Sequence, residues 1–279
     1  MQIAEHMLRT GRHGTLHEFG MAFADLKAST KRIGLAWSLA WHDIVSRYRG
    51  SILGPFWITL SMGLMVLGMG FLYAEIFKVP IQRYMPFVAL GIVFWGVIVG
   101  VITEGCDTFV QASGMLSQTS LPMFTFVWRT VLRNLITLAH HMVIVVAVLV
   151  WFGFWKVANV PMALLGLFLV LLNVSWASMA VGIASARFRD VPQIVGSIMQ
   201  FAMFMTPIFW EPGRMSGGRG HALLVLNPFF HMIDGIRAPL MGGETGSGTY
   251  PILALLAVVG WLGVFTVFTL TRRRIVHYL

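Results

Sequence analysis

An uncharged run of 25 residues, from Gly50 to Ala74, constrains this chain more than any other feature. A helix of about 20 apolar residues is long enough to cross the hydrocarbon core of a bilayer. The run begins directly after the basic sequence Arg47-Tyr48-Arg49, and basic residues concentrate on the cytoplasmic side of membrane helices. The run therefore predicts a first membrane-spanning helix whose amino-terminal end faces the cytoplasm.

Comparable uncharged stretches recur along the sequence, and six of them are long enough to span a bilayer. They cover residues 50–74, 84–103, 134–155, 157–186, 191–210 and 245–271. Another uncharged stretch, 108–128, is rich in Ser, Thr and Gln, so it predicts a polar loop with a short helix. The sequence thus predicts an all-α integral membrane protein, with one six-span domain over residues 50–279 behind a cytoplasmic amino-terminal segment, 1–49.

Lysine and arginine are distributed unevenly between the connecting segments. The inner segments 1–49, 104–133, 187–190 and 272–279 hold 14 basic residues, whereas the outer segments hold six. This excess predicts that both termini are cytoplasmic. The first 31 residues are polar and contain no apolar stretch of the signal-peptide type, so we expect the first span to be uncleaved.

Composition argues against several classes of protein. Hydrophobic residues make up 57% of the chain and charged residues 11%, whereas soluble domains typically carry about 25% charge. The net charge of +9 would ordinarily suggest nucleic-acid binding, but no basic stretch lies in a segment able to fold as a soluble unit. The single cysteine, Cys106, allows neither an intrachain disulfide nor a cysteine-based zinc site. We therefore expect no nucleic-acid partner and no bound metal.

Residues 32–49 are predicted to form a helix lying on the membrane surface. The spacing of Trp37, Trp41 and Tyr48 places them on one face, while Asp43 and Arg47 form an i, i+4 pair on another. Aromatic residues beside a basic edge suit the inner headgroup layer. The alternative is an ordinary juxtamembrane helix with no role beyond anchoring.

The outer segment 211–244 is too apolar for a plain loop, yet its apolar pieces are too short to span a bilayer. Pro212, Pro228, Pro239 and several glycines interrupt it. Irregular backbone at membrane depth must be buried in protein or line a cavity. The segment therefore predicts short re-entrant or interfacial helices.

Small residues recur at helical spacing in two predicted spans. Ser178, Gly182 and Ala186 follow one another four residues apart, as do Gly96 and Gly100. Small residues at this spacing let helix backbones approach closely. The pattern leaves two alternatives open, packing within one subunit or an interface between subunits.

Energy coupling must come from elsewhere if the chain is a transporter. The phosphate-binding sequence G-x-x-x-x-G-K-[ST] is absent, so we expect no ATP site in this chain. Acidic residues lie at span ends or in loops, which disfavours coupling to an ion that binds mid-membrane.

Two sequence patterns of membrane enzymes are absent. His140-His141 lacks the H-E-x-x-H pattern of a zinc protease, and no G-x-S-x-G nucleophile elbow occurs. A membrane-embedded enzyme with a Ser/His pair remains an alternative.

Aromatic residues are frequent in and near the predicted spans. Flat rings can stack on sugar faces and so form a path for a polysaccharide. The alternative for each ring is an anchor at the membrane interface or a lipid-facing side chain. The candidate pore residues are Tyr73, Phe77, Phe94, Trp95, Phe204, Phe209 and Trp210.

Four separated motifs occur along the chain. They are RYRGSILGPFW at 47–57, RFRDV at 187–191 followed by Gln193, TPIFW at 206–210, and Asn227-Pro228 with Arg237 downstream. In type and order they resemble the permease subunits of ABC-type polysaccharide exporters, the type-2 exporters of O-antigen, teichoic acid or capsule. The resemblance covers nearly the whole chain, and its first motif is closer to the O-antigen-type permeases than to the capsule branch.

This resemblance implies an architecture and a set of partners. The family works in the bacterial inner membrane as a homodimer of six-span subunits. Two copies of a separate ATP-binding cassette subunit bind ATP and magnesium, so this chain would carry no cofactor. The cargo would be a lipid-linked glycan moved from cytoplasm to periplasm. The inner loop, about 105–128, would carry the coupling helix that docks on the ATPase, and the segment 211–244 would form gate helices.

Candidate site residues follow from the resemblance. Anionic diphosphate-lipid heads would meet a basic group, for which arginine is well suited; its members are Arg47, Tyr48, Arg49, Arg187 and Arg189. The alternative for them is plain positive-inside anchoring. Contact with the ATPase would fall to a second group, Glu104, Asp107, Gln111, Ser117 and Gln118.

Three further expectations remain open at this point. Arg129 and Arg133 lie one helical turn apart, and we expect them to extend towards lipid headgroups. A type-2 exporter of a drug or lipid is an alternative within the transport class. An enzyme that acts on polyprenyl-linked glycans is the alternative from another class.

Overall fold

The computed structural model describes residues 15–212 and 218–278, and these residues form helices and turns only. The α-helices are α1 Thr15–Lys31, α2 Ile33–Arg47, α3 Phe56–Phe77, α4 Ile81–Cys106, α5 Ser113–Gln118, α6 Phe124–Trp151, α7 Val160–Arg187, α8 Val191–Met205, α9 Gly218–Leu226, α10 Pro228–Leu240 and α11 Thr249–Tyr278. A single turn of 3₁₀ helix, Phe154–Lys156, lies between α6 and α7. The predicted all-α fold is confirmed. Residues 1–14 of the predicted amino-terminal segment, and 213–217 of the outer segment, lie outside the described residues.

Five helices in the described ranges are long and apolar enough to cross a membrane, namely α3, α4, α6, α7 and the part of α11 up to Ile275. The predicted span 191–210 is a 15-residue helix, α8, followed by turns. At 1.5 Å per residue such a helix reaches only about 22 Å. Five of the six predicted spans are therefore long helices. The remaining one, 191–210, contains only a short apolar helix.

The start of α6 differs most from the prediction. The sequence predicts a third span that begins at residue 134, after an inner segment 104–133. The helix instead begins at Phe124 and includes Arg129 and Arg133. The irregular segment between α4 and α6 is accordingly shorter, 107–123, and carries α5 near its middle.

Helix α4 is the centre of the bundle. About 83% of its most apolar stretch is buried, because α3, α6, α7, α8 and α10 all pack against it. In α3 and α11 only 22% and 28% of that stretch is buried. Their outer apolar surfaces are typical of helices that face lipid or another subunit.

The bundle has two distinct ends. One end, called the loop end below, carries α1, the segment 107–123 and the carboxyl-terminal turns of α7 and α11. A hydrophobic cluster joins these parts, with Ala22, Phe109, Leu116, Phe124, Ile183 and Phe268 among its buried members. The opposite end carries the connections between α3 and α4 and between α6 and α7, together with α9 and α10.

Small residues bring α4 and α7 close together near the loop end. A Cβ atom on Gly105 would lie 2.8 Å from the Ser178 Cα atom, and one on Gly182 would lie 2.9 Å from the Gly105 carbonyl oxygen. Both distances are shorter than van der Waals contact, so glycine is required at these crossings. Of the two alternatives for this pattern, the structure shows packing within one chain for Ser178 and Gly182.

A second close crossing joins α7 to α10. A Cβ atom on Gly166 would overlap the Gly235 carbonyl group. We expect Gly166→Ala to lower the free energy of unfolding by about 1–3 kcal/mol, since α10 must shift to admit one methyl group. Thermal unfolding of the detergent-solubilised chain measures this change. The matched control is Gly68→Ala in α3, where nothing lies within 4 Å of the added carbon; equal stability of the two variants would contradict the prediction.

The predicted outer segment 211–244 contains two short helices, α9 and α10, separated by Asn227. The Asn227 side chain accepts from the Phe229 N–H at 2.9 Å and donates to the Thr206 hydroxyl at 3.1 Å. Arg237 donates to the Pro207 carbonyl at 2.7 Å and lies 3.9 Å from the centre of the Phe87 ring. Two of the four sequence motifs, 206–210 and Asn227-Pro228 with Arg237, therefore meet at the opposite end of the bundle.

The predicted surface helix is α2, and its faces differ from the prediction in two respects. Trp37 and Trp41 are about half exposed on one face, as expected. Tyr48 does not share that face, because it packs with Ala40, Ile44 and residues of α3 and α6. Asp43 does not pair with Arg47 as predicted; it pairs with two arginines of α6.

Candidate functional site

The segment 107–123 at the loop end has one buried and one exposed side. Phe109, Ala112 and Leu116 are buried in the cluster shared with α7 and α11. Asp107, Gln111 and Gln118 are exposed. The side chain of Ser117 lies outside the described residues. The apolar residues thus fix the segment 107–123 to the bundle, while Asp107, Gln111 and Gln118 face outward, where another protein could contact them.

Glu104, the remaining candidate for contact with the ATPase, occupies a different environment. It lies in the last turns of α4, where it accepts from Arg133 Nε at 2.9 Å and from Asn134 Nδ2 at 2.8 Å. Its carboxylate is therefore engaged within the chain. Glu104 therefore differs from the other candidates for ATPase contact, Asp107, Gln111 and Gln118, whose side chains are exposed.

A group of four charged residues and one asparagine at the loop end, called the charge cluster below, joins α2, α4 and α6. Its members are Asp43, Glu104, Arg129, Arg133 and Asn134. Asp43 accepts from Arg129 Nε at 2.8 Å and from Arg129 NH2 at 2.6 Å, and it also accepts from Arg133 NH1 at 2.9 Å. Arg133 is thus bonded to the carboxylates of both Asp43 and Glu104.

The charge cluster is electrically balanced and largely shielded from solvent. Its two arginines match its two carboxylates, and the side chains of Arg133 and Asp43 are only 9% and 16% exposed. Burial by itself raises the pKa of Asp43, but the hydrogen bonds and positive charges of Arg129 and Arg133 outweigh it and lower that pKa below its ordinary value of 3.8. Since the folded-state pKa is lowered, the stabilisation is fully present above that ordinary value and is lost only as the pH falls through the lowered one. Asp43 therefore stays ionised at neutral pH.

The local sequence explains why the charge cluster can form. Arg129 and Arg133 are four residues apart on α6 and so project from the same face. Gly100 on α4 leaves the space that the Asn134 amide occupies, since a Cβ atom there would overlap the Asn134 oxygen. One turn closer to the loop, the hydroxyls of Thr108 and Thr130 lie 2.9 Å apart. The end of α4 and the start of the segment 107–123 are thus both bonded to α6.

Our expectation that Arg129 and Arg133 extend towards headgroups is wrong. Their partners lie 29 to 90 residues away in sequence, so no local pattern indicates them. The available signal was indirect: Asp43 and Glu104 are isolated carboxylates next to apolar stretches. Such carboxylates usually require a basic partner at membrane depth.

Helix α1 is held at the loop end by a second polar contact. Asp25 is 6% exposed and accepts from the backbone N–H groups of Met123 and Phe124 at 3.1 and 3.2 Å. Arg272 lies 3.6 Å from the same carboxylate, and Arg273 pairs with Glu18 at 2.7 Å. Burial raises the pKa of Asp25 in spite of these donors. Asp25 thus caps the amino-terminal end of α6 from another helix.

The basic candidates for lipid-headgroup contact lie at the loop end but in two places. Arg47 and Arg49 are exposed where α2 leads into α3, with Tyr48 half-buried between them. Arg187 and Arg189 are exposed at the end of α7. The Arg187 guanidinium lies 5.1 Å from the Phe188 ring centre and 5.8 Å from that of Tyr278, so it also contacts the end of α11.

The candidate pore aromatics fall into three environments. Tyr73, Phe77 and Phe209 form one group, in which the Tyr73 ring lies 5.6 Å from Phe77 and 5.7 Å from Phe209. Phe94 and Trp95 are buried within the chain, at 4% and 6% exposure. Phe204 is 60% exposed, and its carbonyl oxygen accepts from the Trp210 indole at 3.4 Å. The structure brings the first group together and leaves the others separate.

The fold and these polar contacts define a multi-pass membrane protein whose loop end combines an exposed polar segment with a buried charge cluster. The sequence model of the ABC-2 type transporter family matches residues 34–241, and the chain belongs to that family. The O-antigen export system permease protein RfbA of Myxococcus xanthus is 23% identical to it over 229 residues, which cover 81% of this chain and 86% of the relative. The chain is therefore a transport permease rather than an enzyme, and its family works with an ATP-binding cassette partner.

Proposed function

We propose that this chain is the membrane-channel subunit of an ATP-driven exporter that moves a lipid-linked polysaccharide, of the O-antigen type, from the cytoplasm to the periplasm. The match to the ABC-2 type transporter family carries the transport part of this proposal. The similarity to an O-antigen export permease over most of both chains supports the cargo. A drug or lipid as cargo is the alternative, and the experiment below distinguishes them.

The mechanism is mechanical coupling. The ATP-binding cassette subunit binds ATP and magnesium and contacts the exposed side of the segment 107–123, at Asp107, Gln111 and Gln118. Because the buried side of that segment packs on α7 and α11, a displacement of α5 moves the ends of these helices. ATP binding in the partner thereby favours one of two arrangements of the bundle.

The assembly that fits this function is a homodimer with two ATPase subunits in the bacterial inner membrane. The amino-terminal helix and the end of α11 lie together at the loop end, which supports placing both termini in the cytoplasm. Most basic residues of the described chain are at the same end, in agreement with the positive-inside rule. The exposed apolar surface of α3 suits contact with lipid or a second copy.

The proposed cargo path begins at the exposed arginines of the loop end. Arg47, Arg49, Arg187 and Arg189 would attract the diphosphate of a lipid-linked glycan. Towards the opposite end, the rings of Tyr73, Phe77 and Phe209 offer flat surfaces to sugar. The buried Phe94 and Trp95 could contact cargo only if the bundle opens. Phe204 and Trp210 would line a path only at an interface with the second copy.

The test is a chromosomal deletion of this chain in its own host, complemented by the parent sequence. The expected result is loss of surface polysaccharide, accumulation of lipid-linked glycan in the inner membrane, and restoration of both by the parent. The ATP-binding cassette subunit should co-purify with the parent chain. Unchanged surface polysaccharide together with a changed lipid or drug content would instead support the alternative cargo.

Charge reversal in the loop should uncouple the complex. We expect Asp107→Lys to lower export roughly tenfold while the ATPase rate of the purified complex changes less than about twofold, because the altered side chain is exposed and the fold does not need it. Surface polysaccharide and ATPase rate are measured on the same variant. Glu75→Lys, an exposed charge reversal at the opposite end, is the matched control. Export at the parent rate by Asp107→Lys would contradict this assignment of the loop.

A further inference from the structure

Helix α2 is attached to the bundle by two kinds of contact. Ala36, Ala40 and Ile44 are buried on the face towards α6. Apolar packing of this kind is non-directional, so it sets the register of α2 on α6 less strictly than a directional contact does. The only described ion pairs of α2 are those of Asp43 with Arg129 and Arg133. Bidentate contacts of this kind fix orientation as well as distance, so the charge cluster determines where α2 sits along α6.

The same arginines connect α2 to both helices that flank the loop. Arg133 is bonded at once to Asp43 of α2 and to Glu104 of α4. The hydroxyl contact between Thr108 and Thr130 links the start of the segment 107–123 to α6. The ends of α4 and α6 and the middle of α2 are thereby held in one charged and hydrogen-bonded unit.

Movement of α2 would be passed on to the first span. A short turn, 48–55, separates α2 from α3, and Tyr48 packs with Ile58 of α3 and Ile136 of α6. Most of the surface of α3 is exposed, and its contacts within the chain are with α4 and α6, two of the helices that the charge cluster joins.

We propose that Asp43, Arg129 and Arg133 are positioning residues that couple the loop 107–123 to α2 and, through it, to the first span. This inference rests on the proposed function, in which the ATPase displaces the loop. The charge cluster keeps α2 in register with α4 and α6, so the three helices move as one body when the loop is pushed. Without it α2 slides on its apolar face, and the displacement of the loop does not reach α3.

The test removes the contact without leaving an unpaired buried charge. The double variant Asp43→Asn/Arg129→Gln keeps the net charge and leaves the pair of Arg133 with Glu104 intact. We expect assembly with the ATP-binding cassette subunit and an ATPase rate within about twofold of the parent, but roughly tenfold less export per ATP hydrolysed. A purely structural role would lower assembly, ATPase rate and export together.

Two further variants make the result specific. Asp43→Glu/Arg129→Lys keeps an ion pair between α2 and α6 and leaves Arg133 facing a carboxylate, and we expect it to recover at least about half of the parent export. Glu18→Gln/Arg273→Gln removes an ion pair that joins α1 to α11 at the loop end. Like the neutral variant, it leaves the net charge of the chain unchanged. This control should export at the parent rate.

Two outcomes would overturn the proposal. One is parent-level export per ATP by the neutral variant Asp43→Asn/Arg129→Gln. The other is an assembled, ATPase-active Asp43→Glu/Arg129→Lys variant that exports no better than the neutral one. The parent complex is measured in parallel. If the parent itself exports no glycan, the proposed function fails, and that result is distinct from failure of the coupling residues.

Discussion

Arg133→Met should destabilise this permease by about 3 kcal/mol, since removing one member of a buried ion pair leaves its partner without compensation. Arg133 is 9% exposed and is bonded to two carboxylates. After its loss Asp43 keeps Arg129, but Glu104 keeps only the neutral amide of Asn134. Because the Glu104 side chain is 30% exposed, water relieves part of the cost, which places the effect at the lower end of the usual range.

The measurement is the unfolding temperature of the solubilised chain, with the fraction recovered as a single species by size exclusion. Arg83→Met is the matched control, because Arg83 also pairs with a glutamate but is 70% exposed; surface pairs contribute at most about 1 kcal/mol. Adding Glu104→Gln to Arg133→Met should restore part of the lost stability, since it removes the uncompensated charge. Equal effects of Arg133→Met and Arg83→Met would show that the charge cluster does not stabilise the fold.

The sequence predicts the long helices because their signal is local. Each of the five long spans overlaps an uncharged run, and the cost of placing charge in hydrocarbon makes such runs reliable. The same rule misplaced the start of α6 by ten residues. It treats every arginine as a boundary, whereas Arg129 and Arg133 lie inside the helix and are neutralised by carboxylates of α2 and α4.

The contacts that build the site are not readable from local sequence. Asn227 bonds Thr206, and Arg237 bonds the Pro207 carbonyl, so separate motifs identify one structural unit only after the chain has folded. Tyr48 has the spacing of a surface aromatic, yet it turns towards Ile58 because the chain leaves helix α2 at that residue. In both cases the position of the side chain is decided by tertiary contacts that local periodicity does not indicate.

Asp25→Ala should release α1 from the bundle. The carboxylate accepts two backbone N–H groups at the start of α6 and lies near Arg272. Removing the acceptor leaves two buried donors unsatisfied, at about 1 kcal/mol or more each. We therefore expect a loss of about 2–3 kcal/mol, concentrated in the docking of α1.

Limited proteolysis with trypsin measures this release, since Lys27, Lys31 and Arg32 lie at the end of α1 or directly after it. Cleavage at these residues should become several times faster in Asp25→Ala, while the unfolding temperature of the transmembrane helices changes little. Asp190→Ala is the matched control: Asp190 precedes α8, is exposed, and makes no capping hydrogen bond with its side chain.

Asp25→Asn should fall between the parent and the alanine variant. Its amide oxygen can still accept from the Met123 or Phe124 N–H, and its neutrality avoids the cost of burying a charge. That cost is real at this position, because burial raises the pKa of Asp25. The folded state consequently holds the proton more tightly than the unfolded one, and the contribution of Asp25 to stability is most favourable at low pH and declines as the pH rises through the raised pKa.

Trypsin cleavage of Asp25→Ala at the parent rate would mean that apolar packing alone holds α1, and that Asp25 serves only to cap α6.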